Sequence, residues 1–224
     1  ANGNLTTTVD SVNSVVQKSY DSLNRLVSVV DPEGNVSSNE YDAASRLISV
    51  VDPAGKRTTF GYDALGRRTS ITRPDGEIET FEYDSLGNLT TFENAKGNSW
   101  SFGFDGMSRK TSETNALGNV ARYSYDNVGN LLSKTNANGT AIRYSYNAVN
   151  LPTQQIYSTG QTNFFSYDKN QNLTSSVSSV CSVDYSYNSM NRLVAATDGR
   201  GQIVSNSYDL VGNRTGLYYP SNKT

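Results

Sequence analysis

The sequence contains no histidine and one cysteine, Cys181, among its 224 residues. Without histidine the chain can form neither a His-based catalytic triad nor an imidazole metal site, and one thiol cannot build a thiolate zinc site. An internal disulfide is also excluded, so cysteine usage does not identify the redox compartment. Free cysteines are among the most buried residue types, and we therefore expect the Cys181 thiol to be buried.

Long apolar runs and clustered positive charge are missing as well. No run of about 18 apolar residues occurs, so the sequence predicts no membrane-spanning segment. The 19 lysine and arginine residues are spread singly, whereas a nucleic-acid surface needs them clustered, so we expect no nucleic-acid partner. Hydrophobic residues make up only 35% of the chain, but 15 Tyr and 7 Phe are present. Aromatic rings must therefore supply much of the packing.

An aromatic residue followed by aspartate or asparagine recurs every 21 residues along the chain. Only the step from Tyr167 to Tyr187 is one residue shorter. A fixed period of this length predicts a stacked repeat array. The motif pairs are Tyr20 and Asp21, Tyr41 and Asp42, Tyr62 and Asp63, Tyr83 and Asp84, Phe104 and Asp105, Tyr125 and Asp126, Tyr146 and Asn147, Tyr167 and Asp168, Tyr187 and Asn188, and Tyr208 and Asp209.

Each repeat contains two predicted turns between short segments in which apolar and polar residues alternate. This alternation, bounded by Asx-x-x-Gly, predicts antiparallel strands joined by tight hairpins. The Asx side chain should accept a local backbone N–H, and the fourth turn residue should be left-handed. The first turn carries Gly66, Gly87, Gly129 and Gly212, with Asn24, Asn150 and Asn191 as tolerant substitutes and Ser45, Ser108 and Gln171 as poorer ones. The second turn carries Gly34, Gly55, Gly76, Gly97, Gly118, Gly139, Gly160 and Gly201.

A second aromatic column should lie on the same face as the motif aromatics, because residues two apart share a strand face. It consists of Phe60, Phe81, Phe102, Tyr123, Tyr144, Phe165 and Tyr185. Leucine usually follows the motif aromatic by six residues, with departures at Arg68, Lys110, Pro152 and Arg214. The short repeat lacks a second-turn glycine, so we expect a changed turn near Cys181. Phe104 in place of tyrosine suggests that the hydroxyl is dispensable at that unit.

These repeated positions all have a structural explanation. The motif aspartates stand at turn starts, where capping accounts for them, and no EF-hand or RTX-type ligand spacing appears. We therefore expect no catalytic residue, no cofactor and no metal site. The register is incomplete at both termini, because Gly3 falls on a first-turn position and Asn222 on a second-turn position. We expect residues 1–224 to form one array of about ten repeats that belongs to a longer repeat protein.

The motif resembles that of the YD-repeat, or Rhs-repeat, family. Its clearest copies are YDALGR at residues 62–67 and YDSLGNL at residues 83–89, with YDSLNRL at 20–26 and YDAASRL at 41–47 as variants. The resemblance covers essentially the whole chain. It implies an all-β fold, in which the hairpin array forms a spiralling sheet that is part of a hollow shell or barrel.

The resemblance also implies a function. In bacterial Rhs proteins and insecticidal toxin complexes such shells enclose a cytotoxic C-terminal domain, and in teneurins a similar barrel serves adhesion. We expect this chain to be a wall segment of a secreted or cell-surface polymorphic toxin used in interbacterial competition. Its partners would be flanking repeats and a C-terminal toxin or cargo domain. The alternative is an extracellular adhesion module that binds carbohydrate or protein, with glycans as partners.

Overall fold

The computed structural model describes residues 4–9 and 14–220, and the regular structure in those ranges is β-strand. The predictions at Gly3 and Asn222 lie outside the described residues. Within these ranges no helix is long and apolar enough to cross a membrane. The chain divides into two compact units, residues 1–110 with 115–117 and residues 111–114 with 118–224. The expectation of one array over residues 1–224 stays a prediction.

In the first unit, consecutive strands pair antiparallel from β1 to β10. Its strands are β1 (Thr7–Val9), β2 (Val15–Tyr20), β3 (Leu26–Val30), β4 (Val36–Tyr41), β5 (Leu47–Val51), β6 (Arg57–Tyr62), β7 (Arg68–Thr72), β8 (Ile78–Tyr83), β9 (Leu89–Glu93) and β10 (Ser99–Phe104). The predicted hairpin array is therefore confirmed here.

The second unit repeats this pattern, with consecutive antiparallel pairing from β11 to β21. Its strands are β11 (Lys110–Thr114), β12 (Val120–Tyr125), β13 (Leu131–Thr135), β14 (Ala141–Tyr146), β15 (Pro152–Tyr157), β16 (Thr162–Tyr167), β17 (Leu173–Val177), β18 (Ser182–Tyr187), β19 (Leu193–Asp198), β20 (Ile203–Tyr208) and β21 (Arg214–Tyr218). Strands of five or six residues alternate with connections of four or five residues, and in most of these Asx and glycine recur at fixed offsets.

The turns take the predicted left-handed conformation at their fourth residue. Gly66 has a φ of 81°, and its N–H donates to the Asp63 carbonyl at 3.0 Å. Every predicted second-turn glycine also has a positive φ. The poorer substitutes Ser45, Ser108 and Gln171 adopt the same conformation, with φ of 64°, 60° and 69°. The hairpin imposes this geometry on residues that do not favour it.

The first-turn hairpins of the nine motif tyrosines contain a register shift at the tyrosine. Tyr41 lies opposite Leu47, and the shift falls between Glu40 and Tyr41. The leucine six residues after the aromatic is thus its cross-strand partner. The predicted leucine column and aromatic column therefore meet across one hairpin.

The strand alternation gives each unit two chemically different faces. The aromatic face carries the residues two and four positions before the motif aromatic and their cross-strand partners. On it the Phe92 ring stacks between Phe81 and Trp100, with its centroid 5.3 Å from each of theirs. The hydroxyl face carries residues one and three positions before the motif aromatic and their cross-strand partners. Many of these are serine or threonine, and the Ser124 and Ser133 hydroxyls lie 2.6 Å apart.

Neither unit has a conventional core in its described residues. No hydrophobic side chain there is fully buried, and Ser49 on the hydroxyl face is buried with 2% exposure. The Arg57 guanidinium covers Ser49 and donates to its hydroxyl and to the Glu40 carboxylate, each at 2.6 Å. A single layer of sheet explains this pattern, because each face has only its own side chains to cover it.

The expectation that Cys181 is buried is wrong. Its thiol is exposed because the residue closes the turn between β17 and β18. The Ser178 N–H donates to the Cys181 carbonyl at 2.8 Å, and no residue of this turn has a positive φ. The predicted change of turn in the short repeat is confirmed.

Candidate functional site

The recurring first turn is built around the motif aspartate. In the repeat of Asp63, one carboxylate oxygen accepts the N–H groups of Leu65 and Arg67, each at 2.9 Å. The other oxygen accepts Nε of Arg67 at 2.6 Å. The carboxylate is thereby engaged within its own turn, as the capping explanation predicts.

The arginine four residues after the aspartate joins neighbouring repeats. The Arg67 guanidinium donates to the Asp84 carbonyl of the next repeat at 2.7 Å and lies 4.8 Å from the centroid of the Tyr83 ring. Arg25, Arg46 and Arg192 make the same pair of contacts with the following repeat. One side chain therefore contacts its own turn, the next turn and the next motif aromatic.

Asparagine takes the same place in four repeats. The Asn88 amide donates to the second Asp84 carboxylate oxygen at 2.8 Å, replacing the arginine Nε. Asn130, Asn172 and Asn213 make the corresponding bond to their own aspartates. These amides retain the bond within the turn but lack a guanidinium to place over the next ring.

The repeat that begins at Asn188 has the arginine but no aspartate. Arg192 still donates to the Asp209 carbonyl, yet its Nε is buried and has no hydrogen-bond partner. Asn188 accepts the turn N–H groups of Met190 and Arg192 at 3.0 Å with its side-chain oxygen. The amide thus maintains the turn without pairing the cation.

The motif tyrosines use their hydroxyls as well as their rings. The Tyr62 hydroxyl donates to the Leu47 carbonyl, 15 residues earlier, at 2.8 Å. The same bond is formed by Tyr20, Tyr41, Tyr83, Tyr146, Tyr167 and Tyr208. Each tyrosine therefore ties its hairpin to the preceding one, an interaction that phenylalanine at position 104 cannot make.

The structure thus places the predicted motif residues in one recurring turn. The pairs of residues 20 and 21, 41 and 42, 62 and 63, 83 and 84, 104 and 105, 125 and 126, 146 and 147, 167 and 168, 187 and 188, and 208 and 209 all lie at a strand end followed by a turn. Gly66, Gly87 and Gly129 occupy the left-handed position. The sequence interpretation missed the role of the arginine or asparagine that follows, although its fixed offset was visible.

The hydrogen bonds of the turn lower the pKa of the motif carboxyls. For Asp42 the backbone N–H of Arg46 is the largest cause; partial burial opposes it, and the Arg46 guanidinium adds to it. For Asp168 the side-chain amide of Asn172 is the largest cause. The pKa is also lowered at Asp21, Asp63, Asp84, Asp105, Asp126 and Asp209. These carboxylates are stabilised as anions and are poor proton donors at neutral pH.

Two departures from the leucine column have a direct explanation. The Arg68 guanidinium lies 4.6 Å from the Phe60 ring centroid, and the Lys110 ammonium lies 5.9 Å from that of Phe102. A cation over a ring contributes about 0.5 to 1 kcal/mol at an exposed site. A basic side chain can therefore cover the aromatic column where leucine is absent.

The first turns also expose a set of aliphatic tips that the sequence interpretation did not identify. The residue before the left-handed position is apolar in eight repeats and projects from the turn, as Leu65 does with 74% exposure. These first-turn tips are Leu23, Leu65, Leu86, Met107, Val128, Val149, Met190 and Val211. At the corresponding position the second turns more often carry a charged or polar residue, such as Glu33, Asp75, Lys96 or Arg200, and Leu117 is an exception. Large apolar residues are therefore more frequent at this position in the first turns.

Among residues 4–9 and 14–220, no group of three or more Cys, Asp or Glu side chains is arranged to hold a metal ion. The motif carboxylates are instead bonded to turn amides and guanidinium groups. The arrangement holds hairpins together and aligns successive repeats.

The repeated turn and strand pattern matches a known repeat family. A family model for the RHS repeat matches residues 1–36, 41–78, 83–120, 109–140 and 125–162. No curated protein matches the chain.

Several solved structures are similar to the chain. The crystal structure of TcdB2-TccC3-TEV has a TM-score of 0.54 and 16% identity, over 92% of this chain and 14% of that one. TcdB2-TccC3-Cdc42 gives 0.49 and 14% identity over the same shares. The Photorhabdus luminescens Tc holotoxin pore, with a mutation in TccC3, gives 0.49 and 15% identity over 94% and 14%.

The likeness to TcdB2-TccC3-TEV shows a shared fold, and this chain spans 14% of that structure's length. The family model covers more than half of the sequence, in matches that lie between residues 1 and 162. The chain belongs to the RHS repeat family.

Proposed function

We propose that this chain is a segment of the wall of an encapsulating β-shell in a secreted or surface-delivered toxin. The observation that carries this proposal is the single layer of paired strands with no buried hydrophobic side chain in the described residues. A sheet of this kind cannot close a core by itself, but it can separate two compartments. Its polar edge groups are satisfied by pairing along the strip.

The contacts between repeats support a mechanical role. Tyrosine hydroxyls tie each hairpin to the preceding one, and arginine side chains tie it to the following one. Each net hydrogen bond contributes about 0.5 to 1.5 kcal/mol, and such bonds recur along the strip. The wall would thus be held together along its length rather than through a core.

The partners that we propose are flanking repeats and a C-terminal toxin or cargo domain of the same protein. The exposed first-turn tips need cover in an aqueous environment, and neighbouring parts of a shell would provide it. The fold shared with TcdB2-TccC3-TEV is consistent with a longer protein, because the chain spans 14% of that structure.

The first test is the sequence of the gene on both sides of this region. The proposal predicts many further repeats and a distinct C-terminal domain. A gene that ended near Thr224 would contradict it.

The second test is protease protection in the full-length protein. We expect the C-terminal domain to resist a protease until the wall is weakened by Tyr62→Ala together with Arg67→Ala. The matched control is Lys96→Ala with Arg200→Ala, because both of these side chains lie in exposed second turns. Equal cleavage of the domain in the unaltered protein and in isolation would count against encapsulation.

We also propose that this segment is not an enzyme, because its motif carboxylates are already bonded within their turns. The adhesion alternative stays a prediction. Retention of the chain on a glycan array would support it.

A further inference from the structure

The hydroxyl face of the second unit departs from its usual composition in four consecutive repeats. The position three residues before the motif aromatic is serine or threonine in five other repeats: Ser38, Thr59, Thr80, Ser101 and Ser205. In the second unit it becomes Arg122, Arg143, Phe164 and Asp184. All four side chains are exposed. Large charged and aromatic groups thus stand on a face that elsewhere carries small hydroxyls.

The two arginines have no counter-charge. Unlike Arg57 and Arg73, which pair with glutamates, neither Arg122 nor Arg143 makes a hydrogen bond or ion pair with any described residue. Arg143 lies opposite Ser133 on one neighbouring strand and Ile156 on the other. Its guanidinium is therefore free to take a carboxylate from outside the chain.

An apolar trio begins at Ile156, the cross-strand neighbour of Arg143, and continues over the next two strands. It consists of Ile156, Phe164 and Val177, which are 38%, 51% and 40% exposed. Phe164 pairs with Val177 across β16 and β17, and Ile156 lies two residues from Gln154, the other neighbour of Phe164. The trio thus places three exposed apolar side chains on the adjacent strands β15, β16 and β17, with Ile156 diagonal to Phe164.

A cavity of about 210 Å³ adjoins both features. It is lined by Ala141, Arg143, Ile156, Tyr157 and Ser158. The hairpin of β14 and β15 is extended here, since the Ser158 N–H donates to the Ala141 carbonyl at 2.7 Å and the Ser158 hydroxyl accepts the Ala141 N–H at 3.0 Å. The extra pair builds one wall of the concavity.

We propose that this surface binds an acidic polypeptide segment that also carries an apolar side chain. A carboxylate of the segment pairs with Arg143, and the neighbouring apolar side chain packs on the apolar trio. Arg122, one repeat earlier on the same face, receives a further carboxylate. The proposal concerns an additional binding surface and does not depend on the shell.

Charge and shape together select this occupant. Unpaired arginines favour an anionic partner, and a second copy of this face would present the same positive groups to them. The one carboxylate at this position, Asp184, lies on β18, beyond the apolar trio from Arg143, and accepts the Ser175 hydroxyl at 2.7 Å. A linear acidic glycan could pair with the arginines, but a sugar ring packs best on the open face of an aromatic ring. The Phe164 ring instead has aliphatic Ile156 and Val177 as neighbours. An apolar side chain fits such a cluster better than a sugar ring does.

The test uses the whole chain and a fluorescein-labelled peptide made of two Glu-Ser-Leu-Ser units. In an extended peptide, residues two apart face the same side, so glutamate and leucine reach the surface together. Binding is measured by fluorescence anisotropy at low ionic strength. Control peptides replace each glutamate by lysine or each leucine by serine, and a sulfated polysaccharide serves as a non-peptide polyanion.

The variants use residues that other repeats carry at this position, so the hairpins should still form. We expect Arg143→Ser and Phe164→Thr each to weaken peptide binding about tenfold. Arg200→Ser removes the same charge from an exposed second turn, and Ile78→Thr removes an exposed apolar side chain from the first unit; neither should change the affinity by more than about twofold.

Several results would overturn the proposal. One is that the unaltered chain does not bind the Glu-Ser-Leu-Ser peptide, or binds both control peptides equally well. Another is that Phe164→Thr leaves the affinity unchanged. Displacement of the peptide by the polysaccharide, with polysaccharide binding that depends on Arg143 but not on Phe164, would assign the surface to polyanions instead.

Discussion

The side chain that follows each first turn can add contacts to the next repeat beyond the bond made by the tyrosine hydroxyl. Arg67 reaches its own aspartate, the next turn and the next motif ring, whereas Asn88 reaches its own aspartate. Exposed ion pairs contribute about 0.2 to 1 kcal/mol, and a cation over an exposed ring adds a comparable amount. Individual repeats should therefore differ in stability according to this one residue.

Asn188→Asp should raise the free energy of unfolding. The new carboxylate can accept the buried Nε of Arg192, which now has no partner, as Asp63 does for Arg67. We expect a gain of about 1 kcal/mol in urea unfolding. The matched control is Asn147→Asp, because residue 151 of that repeat is leucine and offers no cation. Equal gains in the two variants would contradict this explanation.

Gln171→Gly should also stabilise the chain. Gln171 has a φ of 69°, a conformation that costs an L-residue with a side chain about 1 to 2 kcal/mol and costs glycine little. Since glycine loses more entropy on folding, the net gain should be about 0.5 to 1 kcal/mol, measured as a rise in Tm. The reverse change, Gly87→Gln at a φ of 90°, should lower Tm. A lower Tm for Gln171→Gly would show that the turn is not strained.

At the scale of the hairpin, two interactions recur where a globular protein would have a core. The aspartate closes the turn from within, and the tyrosine hydroxyl bonds to the preceding hairpin. Cross-strand pairs add about 0.2 to 1 kcal/mol each. A hairpin of this array is therefore stabilised mainly by its turn and its neighbours.

Acid should destabilise the hairpins through the motif aspartates. The pKa of the Asp42 carboxyl is lowered below its ordinary value of 3.8, because it accepts the Arg46 N–H and pairs with the guanidinium. A lowered folded-state pKa adds stability above the unfolded-state pKa, and this stability is lost as the pH falls through the folded-state value. We therefore expect the free energy of unfolding to decrease below about pH 4.

Urea unfolding between about pH 6 and pH 2.5 checks this expectation. Asp42→Asn serves as the control, because its effect should be largest near neutral pH and should shrink in acid. A free energy of unfolding that stayed constant or rose below about pH 4 would contradict the role of the aspartates.

The sequence was sufficient to predict the hairpins because their turns depend on local chemistry. The 21-residue period located the strands, Asx and glycine located the regular turns, and the missing glycine located the altered turn that Cys181 closes. The exposure of Cys181 was missed because average burial preferences ignore the position of a residue in a turn. The contacts of Arg67 with the next repeat were missed because they depend on the register between hairpins, which a single motif does not reveal.

Over the whole molecule, the described residues include no buried hydrophobic side chain, and the aliphatic first-turn tips are exposed. Apolar groups that an ordinary domain would place in its core remain accessible here. Exposed apolar surface of this kind promotes association. The isolated chain should therefore be prone to bind other apolar surfaces, including further copies of itself.

Leu65→Ser combined with Leu86→Ser should reduce self-association of the isolated chain. Both leucines are first-turn tips, with 74% and 62% exposure. Sedimentation velocity over a range of concentrations should show less oligomer than for the unaltered chain. Leu117→Ser is the matched control, because Leu117 is 84% exposed but lies in a second turn. An equal reduction by the control would mean that the first-turn tips have no special role.

The shell-wall proposal is tested most directly by a cryo-electron microscopy structure of the full-length protein. The account predicts that this segment forms one layer of sheet, with one face towards an enclosed chamber that holds a C-terminal domain. It also predicts that the first-turn tips are covered by neighbouring parts of the same shell. A segment with both faces open to solvent, or packed beneath a second layer into a solid domain, would contradict the account.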